Sequence, residues 1–296
     1  MTSTELFFKY IQDGNVSFSK NILQDYKLEI NAKDSQGRTA FEIAMRNEDQ
    51  RMVKWLVENG AKYEGVAKRS YPDGVYEGNF KDDKMNGRRG TYHFNSGDVY
   101  VGGWKDGMKH GRGQYRYSNG DEYAGEYENG HKHGSGKYTF RNNDVYVGQW
   151  KGGNRHGHGI YNYTSGDTYA GEWQDNMQTG SGECTFANGD IYNGQWKDFK
   201  KHGKGTCKFK NGDVYEGEYE GGWIHGKGTF SFATGSVYEG ELKHGKKHGN
   251  GMFCFSNGDK YVGRYKNDCQ HGEGSSFRAD GTIHYTGEWV NGKPKN

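Results

Sequence analysis

Seven of the twelve histidines occupy the same position in a repeated pattern, and a row of imidazoles could bind zinc or transfer protons. These histidines are His110, His133, His156, His202, His225, His248 and His271. The surrounding residues alternate in the way typical of β-strands, so equivalent histidines should lie two strands, or about 9.5 Å, apart. Zinc ligands must all lie about 2.1 Å from one shared ion. The spacing therefore argues against a metal site, and we expect each His-Gly pair to shape a loop exit and to hydrogen-bond locally.

The other chemical motifs do not indicate a catalytic site either. Gly-x-Gly occurs throughout the chain, but it follows hairpin loops and never opens a helix, which excludes a loop that cradles phosphates. The sequence contains no Gly-x-Ser-x-Gly and no Cys-x-x-Cys. A single active site does not need ten copies, so we expect the repeated residues to be structural. We predict no enzyme activity, no metal and no cofactor.

Two of the four cysteines, Cys184 and Cys207, hold the same position 23 residues apart. A separation of two strands is about 9.5 Å, whereas a disulfide requires Cα atoms within about 7 Å. We therefore expect both thiols to stay reduced. Cys254 and Cys269 occupy other positions of the pattern, and we expect thiols in a reducing compartment.

A Tyr-x-Gly element organises most of the chain. Seven intervals of 23 residues are flanked by one interval of 24 at each end, and so fixed a period indicates a repeat architecture. Within one period, Tyr100, Gly102 and Trp104 should share one face of a strand, as Gly113 and Tyr115 should in the next. Each period is therefore predicted to be a β-hairpin, and consecutive hairpins to pair into one antiparallel meander. The repeated tyrosines are Tyr76, Tyr100, Tyr123, Tyr146, Tyr169, Tyr192, Tyr215, Tyr238, Tyr261 and Tyr285.

Two kinds of loop should join these strands. A glycine-rich loop at residues 106–110 joins the two runs, and residues 118–121, Ser-Asn-Gly-Asp, close the period. Asn-Gly favours a tight hairpin turn in which both central residues have positive φ. Glycines beside the aromatic positions, such as Gly102 and Gly113, allow a ring to lie flat over the backbone.

The pattern Gly-Asp-x-Tyr-x-Gly-x-Trp followed by Gly-x-x-His-Gly-x-Gly, seen at residues 97–113, strongly resembles the MORN-repeat family. The resemblance covers residues 71–296. It implies a mainly β fold, an elongated, twisted ribbon or half-pipe formed by a single antiparallel meander of about ten hairpins. It also implies a scaffold or targeting module, often in proteins of cilia, flagella and other cytoskeletal assemblies.

Residues 1–65 differ in kind, because glycine is rare and the pattern is helical. Residues 34–44 resemble the opening turn and first helix of an ankyrin repeat, and residues 52–61 resemble its second helix. Residues 5–11 and 18–23 look like a degenerate preceding pair. A stack needs about three such units, so we expect this small ankyrin-like segment to pack against the first hairpins. It is either an end cap or a partner-binding surface, joined to the repeats by a short connection at residues 62–71.

The charges nearly cancel, with 40 basic and 38 acidic residues, but they are predicted to segregate along the sheet. Strands of five to six residues would separate the two rims by about 18 Å, beyond the Debye length of about 8 Å. We therefore expect one basic long edge and one acidic long edge. The acidic turns carry Asp98, Asp121, Asp144, Asp167, Asp190, Asp213 and Asp259. The basic loops carry Lys105, Lys109, Lys132, Arg155, Lys200, Lys201, Lys243, Lys246 and Lys247.

These features predict a non-catalytic scaffold that binds an extended or filamentous protein, or another copy of itself. The predicted aromatic anchors are Trp104, Trp150, Trp173 and Trp196. The predicted basic contacts are Lys105, Lys109, Lys132, Arg155, Lys200, Lys201, Lys246 and Lys247. The alternative is a membrane-surface adaptor whose basic rim binds anionic phospholipids, at about 1 kcal/mol per lysine or arginine. Nucleic acid is not expected, because there is no strong basic excess.

The sequence has no apolar run near 18 residues and no signal-peptide pattern at its N-terminus. We therefore expect a cytoplasmic protein, and the family resemblance adds the cytoskeleton and the cilium or flagellum.

Overall fold

A computed structural model describes residues 1–295, and the chain divides into two compact units after His133. Asn296, the last residue of the predicted repeat region, lies outside the described residues. The helices are α1 Ser3–Gln12, α2 Val16–Asp25, α3 Ala40–Arg46 and α4 Gln50–Glu58. The strands are β1 Gly65–Tyr71, β2 Gly74–Lys81, β3 Lys84–Phe94, β4 Val99–Lys105, β5 Met108–Arg116, β6 Glu122–Glu128, β7 His131–Thr139, β8 Val145–Lys151, β9 Asn154–Asn162, β10 Thr168–Gln174, β11 Met177–Thr185, β12 Ile191–Lys197, β13 Lys200–Lys208, β14 Val214–Glu220, β15 Trp223–Ser231, β16 Val237–Lys243, β17 Lys246–Cys254, β18 Lys260–Lys266, β19 Cys269–Phe277, β20 Ile283–Val290 and β21 Lys293–Pro294.

The fold is mainly β, with 56% of residues in strands and 12% in helices. Within each unit, consecutive strands pair in antiparallel fashion, as β4 does with β5 and β12 with β13. The prediction of a mainly β antiparallel meander with helices at the N-terminus is therefore confirmed.

The four short helices begin at side-chain caps that the sequence supplies. Thr2 and Glu5 form a capping box at α1, and Thr39 and Glu42 form another at α3. Each box satisfies backbone N–H groups that have no partner within the helix. The ankyrin assignment of this segment is not shown by the helices alone, and it stays a prediction.

The helical segment packs against the first hairpin within its unit. The ring of Tyr63 lies 5.0 Å from that of Phe41 and 6.0 Å from that of Phe80. The Arg69 guanidinium lies 4.3 Å from the Phe41 ring and 4.2 Å from the Phe80 ring, and it pairs with Asp83 at 2.6 Å. The expected packing of helices on the first hairpin is thus confirmed. The expected short connection was wrong in part, because residues 65–71 form strand β1.

The tight two-residue turn and the longer turn each lie where the other was predicted. The two-residue turn is Asp106-Gly107, where both residues have positive φ (51° and 85°), as the right-handed twist of a hairpin favours. At residues 118–121 only Gly120 has positive φ, at 94°, and its N–H donates to the Tyr117 carbonyl at 3.0 Å. The predicted loop at 106–110 was wrong, because residues 108–110 belong to β5.

The His-Gly pairs form β-bulges inside strands rather than loop exits, so that prediction was wrong. Where β8 pairs with β9, Gly148 opposes Gly159 but the next residue, Gln149, opposes His156. Gly157 has φ 59°, which glycine adopts readily. The backbone N–H of His158, beside the bulge, donates a hydrogen bond to the Gln149 side-chain oxygen at 2.8 Å. This backbone donor therefore has a partner.

Candidate functional site

In each unit, a column of tyrosines forms the core of the repeats. Each tyrosine hydroxyl donates a hydrogen bond to the carbonyl three residues later, at 2.7 to 3.1 Å. The first nine are at most 1% exposed. The glycines make this possible, because a Cβ built on Gly205 would lie 2.5 Å from the Tyr192 hydroxyl oxygen. The column of the first unit comprises Tyr76, Tyr100 and Tyr123, and that of the second comprises Tyr146, Tyr169, Tyr192, Tyr215, Tyr238, Tyr261 and Tyr285.

The four predicted tryptophan anchors pack edge-to-face against this column. Trp104, Trp150, Trp173 and Trp196 lie 5.2 to 5.3 Å from the tyrosine of their own hairpin. Their indole N–H groups donate to glycine carbonyls 14 residues earlier, at 2.9 to 3.4 Å. They are only 2–7% exposed, so they are part of the buried layer beneath the surface. A direct contact between these indoles and a partner stays a prediction.

The predicted basic contacts divide into two groups. In the first group, the charged ends lie over aromatic rings, at 4.6 Å for Lys109 on Tyr115 and 4.5 Å for Arg155 on Trp173. Burial lowers the pKa of Lys109, although the Asp98 carboxylate opposes that effect. The second group is exposed beside the two-residue turns and comprises Lys105, Lys200 and Lys246. The ring-bound group comprises Lys109, Lys132, Arg155, Lys201 and Lys247.

The expected basic long edge was therefore wrong for five of its nine members, because those five lie over aromatic rings. These side chains start in strands rather than in loops, which directs them onto the aromatic face. A cation close to an aromatic face is attracted by the ring quadrupole. The ring-bound cations are thus part of the packing, and a partner-binding role for them stays a prediction.

The acidic row ties successive hairpins together. The Asp98 carboxylate accepts the N–H of Ser118 at 2.7 Å, and that of Asp190 accepts the N–H of Lys210 at 2.9 Å. These backbone hydrogen bonds are the main cause of the lowered pKa of both carboxyls. Asp98 also accepts the hydroxyl of Tyr115 at 2.9 Å. The expected acidic edge is thus engaged in internal contacts at these positions.

The histidine row does not converge on any point. Among residues 1–295, no three His, Cys, Asp or Glu side chains are placed to hold one metal ion. His133 lies 3.4 Å from a Glu128 oxygen and His225 lies 3.6 Å from a Glu220 oxygen, so each can form a local ion pair when protonated.

The equivalent cysteines lie two strands apart, as predicted. Cys184 of β11 and Cys207 of β13 both pair with Tyr192 of the intervening strand β12. Both thiols are free and buried, and burial raises the pKa of Cys184 to about 11. A thiol with so high a pKa reacts slowly at neutral pH.

Sequence reasoning missed a set of exposed apolar residues at the hairpin tips of the second unit. Met177, Phe199 and Trp223 are 41%, 48% and 62% exposed. Phe199 occupies a turn position that holds glycine, asparagine or aspartate in the other repeats. Aligning the repeats with one another would have found this residue.

The fold and these contacts define a β-repeat protein whose hairpins share one layer of rings and glycines. The chain belongs to the MORN-repeat family: the MORN repeat matches residues 76–283 in nine consecutive copies and residues 285–295 in a tenth. Repeats of this kind suggest a protein-interaction scaffold, and the family is a non-catalytic repeat family. No curated protein matches the chain.

Solved structures share a weak likeness with it. The TCP10 domain of Danio rerio CPAP, in complex with a peptide of Danio rerio STIL, is 12% identical with a TM-score of 0.36, and the match covers 76% of this chain and 100% of that chain. The SAS-4 (dCPAP) TCP domain of Drosophila melanogaster, in complex with a proline-rich motif of Ana2, is 13% identical with a TM-score of 0.35, and the match covers 60% and 90%. At these TM-scores the likeness carries no argument about function.

The four helices, all within residues 1–295, are too short and too polar to cross a membrane.

Proposed function

We propose that this chain is a non-catalytic protein-interaction scaffold of a cytoskeletal or ciliary assembly. The proposal is based on one observation: the buried residues are alike from repeat to repeat, whereas the exposed residues differ. The position between the buried tyrosine and the glycine is exposed, and it holds Val147, Asn193 and Glu239 in different repeats. Because the column beneath does not change, these exposed side chains can vary without cost to the fold. Such a surface suits recognition of an extended protein.

The cytoskeletal or ciliary placement rests on the family resemblance, and fractionation of ciliated cells tests it. The tagged chain should sediment with the detergent-insoluble cytoskeletal or axonemal fraction. The surface variant Val147→Asp with Ile160→Asp should leave that fraction while its far-UV circular dichroism stays unchanged. Both side chains are nearly half exposed, which makes them better probes than the buried tryptophans. A chain found wholly in the detergent-soluble fraction would overturn this placement.

The membrane-surface alternative receives no comparable support. Five of the eight predicted basic contacts lie over rings, which leaves Lys105, Lys200 and Lys246 as the exposed members. Three lysines supply only about 3 kcal/mol at an anionic surface. We expect no flotation with phosphatidylserine vesicles at physiological salt. Strong flotation that Lys200→Glu with Lys246→Glu abolishes would refute a purely protein-binding role.

A further inference from the structure

In five hairpins of the second unit, a glutamate or glutamine side chain closes the β-bulge on the face opposite the rings. Its oxygen accepts the backbone N–H that follows the bulge glycine, as Gln195 does for Lys204 at 2.9 Å. A Cβ built on the bulge glycine of that hairpin, Gly203, would lie 1.9 Å from the Gln195 oxygen, so this oxygen fills the space beside the glycine. The five side chains are Gln149, Glu172, Gln195, Glu218 and Glu241.

The hairpin of β4 and β5, in the first unit, has glycine at this position. Gly103 supplies no side chain, and a Cβ built on the bulge glycine Gly111 would meet no atom within 4 Å. No side chain among residues 1–295 accepts the N–H of Arg112, which is equivalent to Lys204. The space that an oxygen fills in the five other hairpins is therefore open here. The other repeats have Asn79, Glu126, Gln149, Glu172, Gln195, Glu218, Glu241, Arg264 and Glu288 in place of Gly103.

The open space belongs to a groove of about 780 Å³ on the face opposite the rings. Gly103 and Lys105 alternate with the ring-facing residues of β4, so they point to this opposite face. Arg112 on β5 and Lys81 on β2 likewise flank ring-facing residues. Arg88 lies in the bulge of β3, where two residues oppose Gly103. The four cationic residues and the open space thus line one groove.

The charge of the groove is positive after its acidic residues are counted. Asp82 and Asp106 are the aspartates of the lining, and Asp82 lies 3.6 Å from the Lys62 ammonium, which offsets its charge. Glu126 opposes Arg112 from β6, but no ion pair joins these two side chains among residues 1–295. Against these acids stand four cationic side chains, and neither arginine among them has an ion-pair partner in the part of the chain that the structure describes. The cationic side chains are Lys81, Arg88, Lys105 and Arg112.

We infer that this groove binds the carboxylate of a glutamate or aspartate side chain of a partner protein. The partner carboxylate takes the place that the Glu218 and Glu241 carboxylates have in their own hairpins, where an extended strand presents them. It accepts the N–H of Arg112 and pairs with the guanidinium groups of Arg88 and Arg112, whose planar donors match a carboxylate. This inference rests on the proposed scaffold function and names one contact of the partner.

Differential selection of displayed random peptides tests the inference. Peptides are enriched on the full-length chain and then depleted on the variant Arg88→Gln with Arg112→Gln. The peptides that remain should share one Glu or Asp, and replacing it by Gln or Asn should weaken binding at least tenfold in fluorescence anisotropy. The matched control, Lys204→Gln with Lys227→Gln, removes the same charge beside bulges that are already closed, so it should leave the affinity unchanged.

Gly103→Gln tests the position of the carboxylate without changing any charge. The new amide oxygen should fill the space beside Gly111, as the Gln149 oxygen fills the space beside Gly157, and should exclude the peptide carboxylate. We expect binding at least tenfold weaker with an unchanged far-UV circular dichroism spectrum. A Cβ on Gly103 would lie 2.2 Å from the His110 carbonyl oxygen, so β4 must shift to the spacing of the other hairpins. The arginine variants need no such shift, and they keep the test decisive if Gly103→Gln does not fold.

Several outcomes would overturn the inference. These are an absence of remaining peptides, remaining peptides that share no carboxylate, and binding that a folded Gly103→Gln chain leaves intact. Displacement of the peptides by millimolar inorganic phosphate but not by equal acetate would assign the groove to phosphate groups instead. Binding to phosphatidylinositol phosphate vesicles that Gly103→Gln abolishes would assign it to a membrane. If no peptide depends on the groove and Gly103→Gln still sediments with the cytoskeletal fraction, the scaffold role stands and this site fails.

Discussion

The glycines of the tyrosine column should be intolerant of even one methyl group, and Gly205→Ala tests this directly. A Cβ at Gly205 would lie 2.5 Å from the Tyr192 hydroxyl oxygen and 2.6 Å from Cε2 and Cζ of that ring. Carbon atoms in contact normally lie about 3.5–4.0 Å apart, so the ring would have to move by about 1 Å. Gly205 does not have positive φ, so alanine adds no backbone strain and the effect is steric.

The Tyr192 ring has little room to move. Its hydroxyl donates to the Gln195 carbonyl at 2.9 Å, and it meets Trp196 and Tyr219 edge-to-face at 5.2 and 4.9 Å. Overpacking costs about 1–3 kcal/mol and a lost hydrogen bond about 1 kcal/mol. We therefore expect Gly205→Ala to lower the free energy of unfolding by about 2–4 kcal/mol. Urea unfolding followed by tryptophan fluorescence would measure it.

Two comparisons separate this mechanism from others. Gly222→Ala has no atom within 4 Å of its new Cβ but keeps φ at 93°, so it should cost only about 1 kcal/mol through the backbone. Tyr192→Leu should cost less in the Gly205→Ala background than alone, because the clash is with that ring. If the two substitutions are additive within about 0.5 kcal/mol, the steric account is refuted.

Further predictions concern pH, thiol reactivity and the helical segment. Burial raises the pKa of Tyr146 to about 12, so the stability it contributes is complete below its unfolded pKa of about 10 and is lost as the pH rises through about 12. Circular dichroism should show alkaline unfolding in that window, and a native spectrum that persists well above pH 12 would contradict it. Exposed Cys269 should react with a thiol reagent much faster than buried Cys184, and equal rates would contradict the burial. Arg69→Ala should destabilise the docking of the helices by roughly 3 kcal/mol, because it leaves Asp83 without its cation. Faster proteolysis in residues 1–64 would show this, and unchanged cleavage would refute it.

The local sequence pattern was sufficient to predict the fold class and the length of the repeat. The alternation around Tyr100 and the spacing to Tyr123 predicted hairpins with rings and glycines on one face, because side chains in a strand alternate between faces. The same reasoning placed Cys184 and Cys207 two strands apart. For the candidate site, the sequence identified the residue types but not the contacts that their side chains make. It expected Lys109 at a free edge, and it missed Phe199.

What the sequence by itself determined was the repeat of about 23 residues, the antiparallel β class and the pairing of ring and glycine positions, since each depends on neighbours within one period. Only the tertiary structure decided which turn has two residues, where each bulge lies, and which charges remain exposed. Those outcomes depend on contacts with the next hairpin, such as the Asp190 carboxylate on the Lys210 N–H and the Arg155 guanidinium on the Trp173 ring. A single period of sequence does not contain these partners, so it could not show that five of the eight predicted basic contacts lie over aromatic rings.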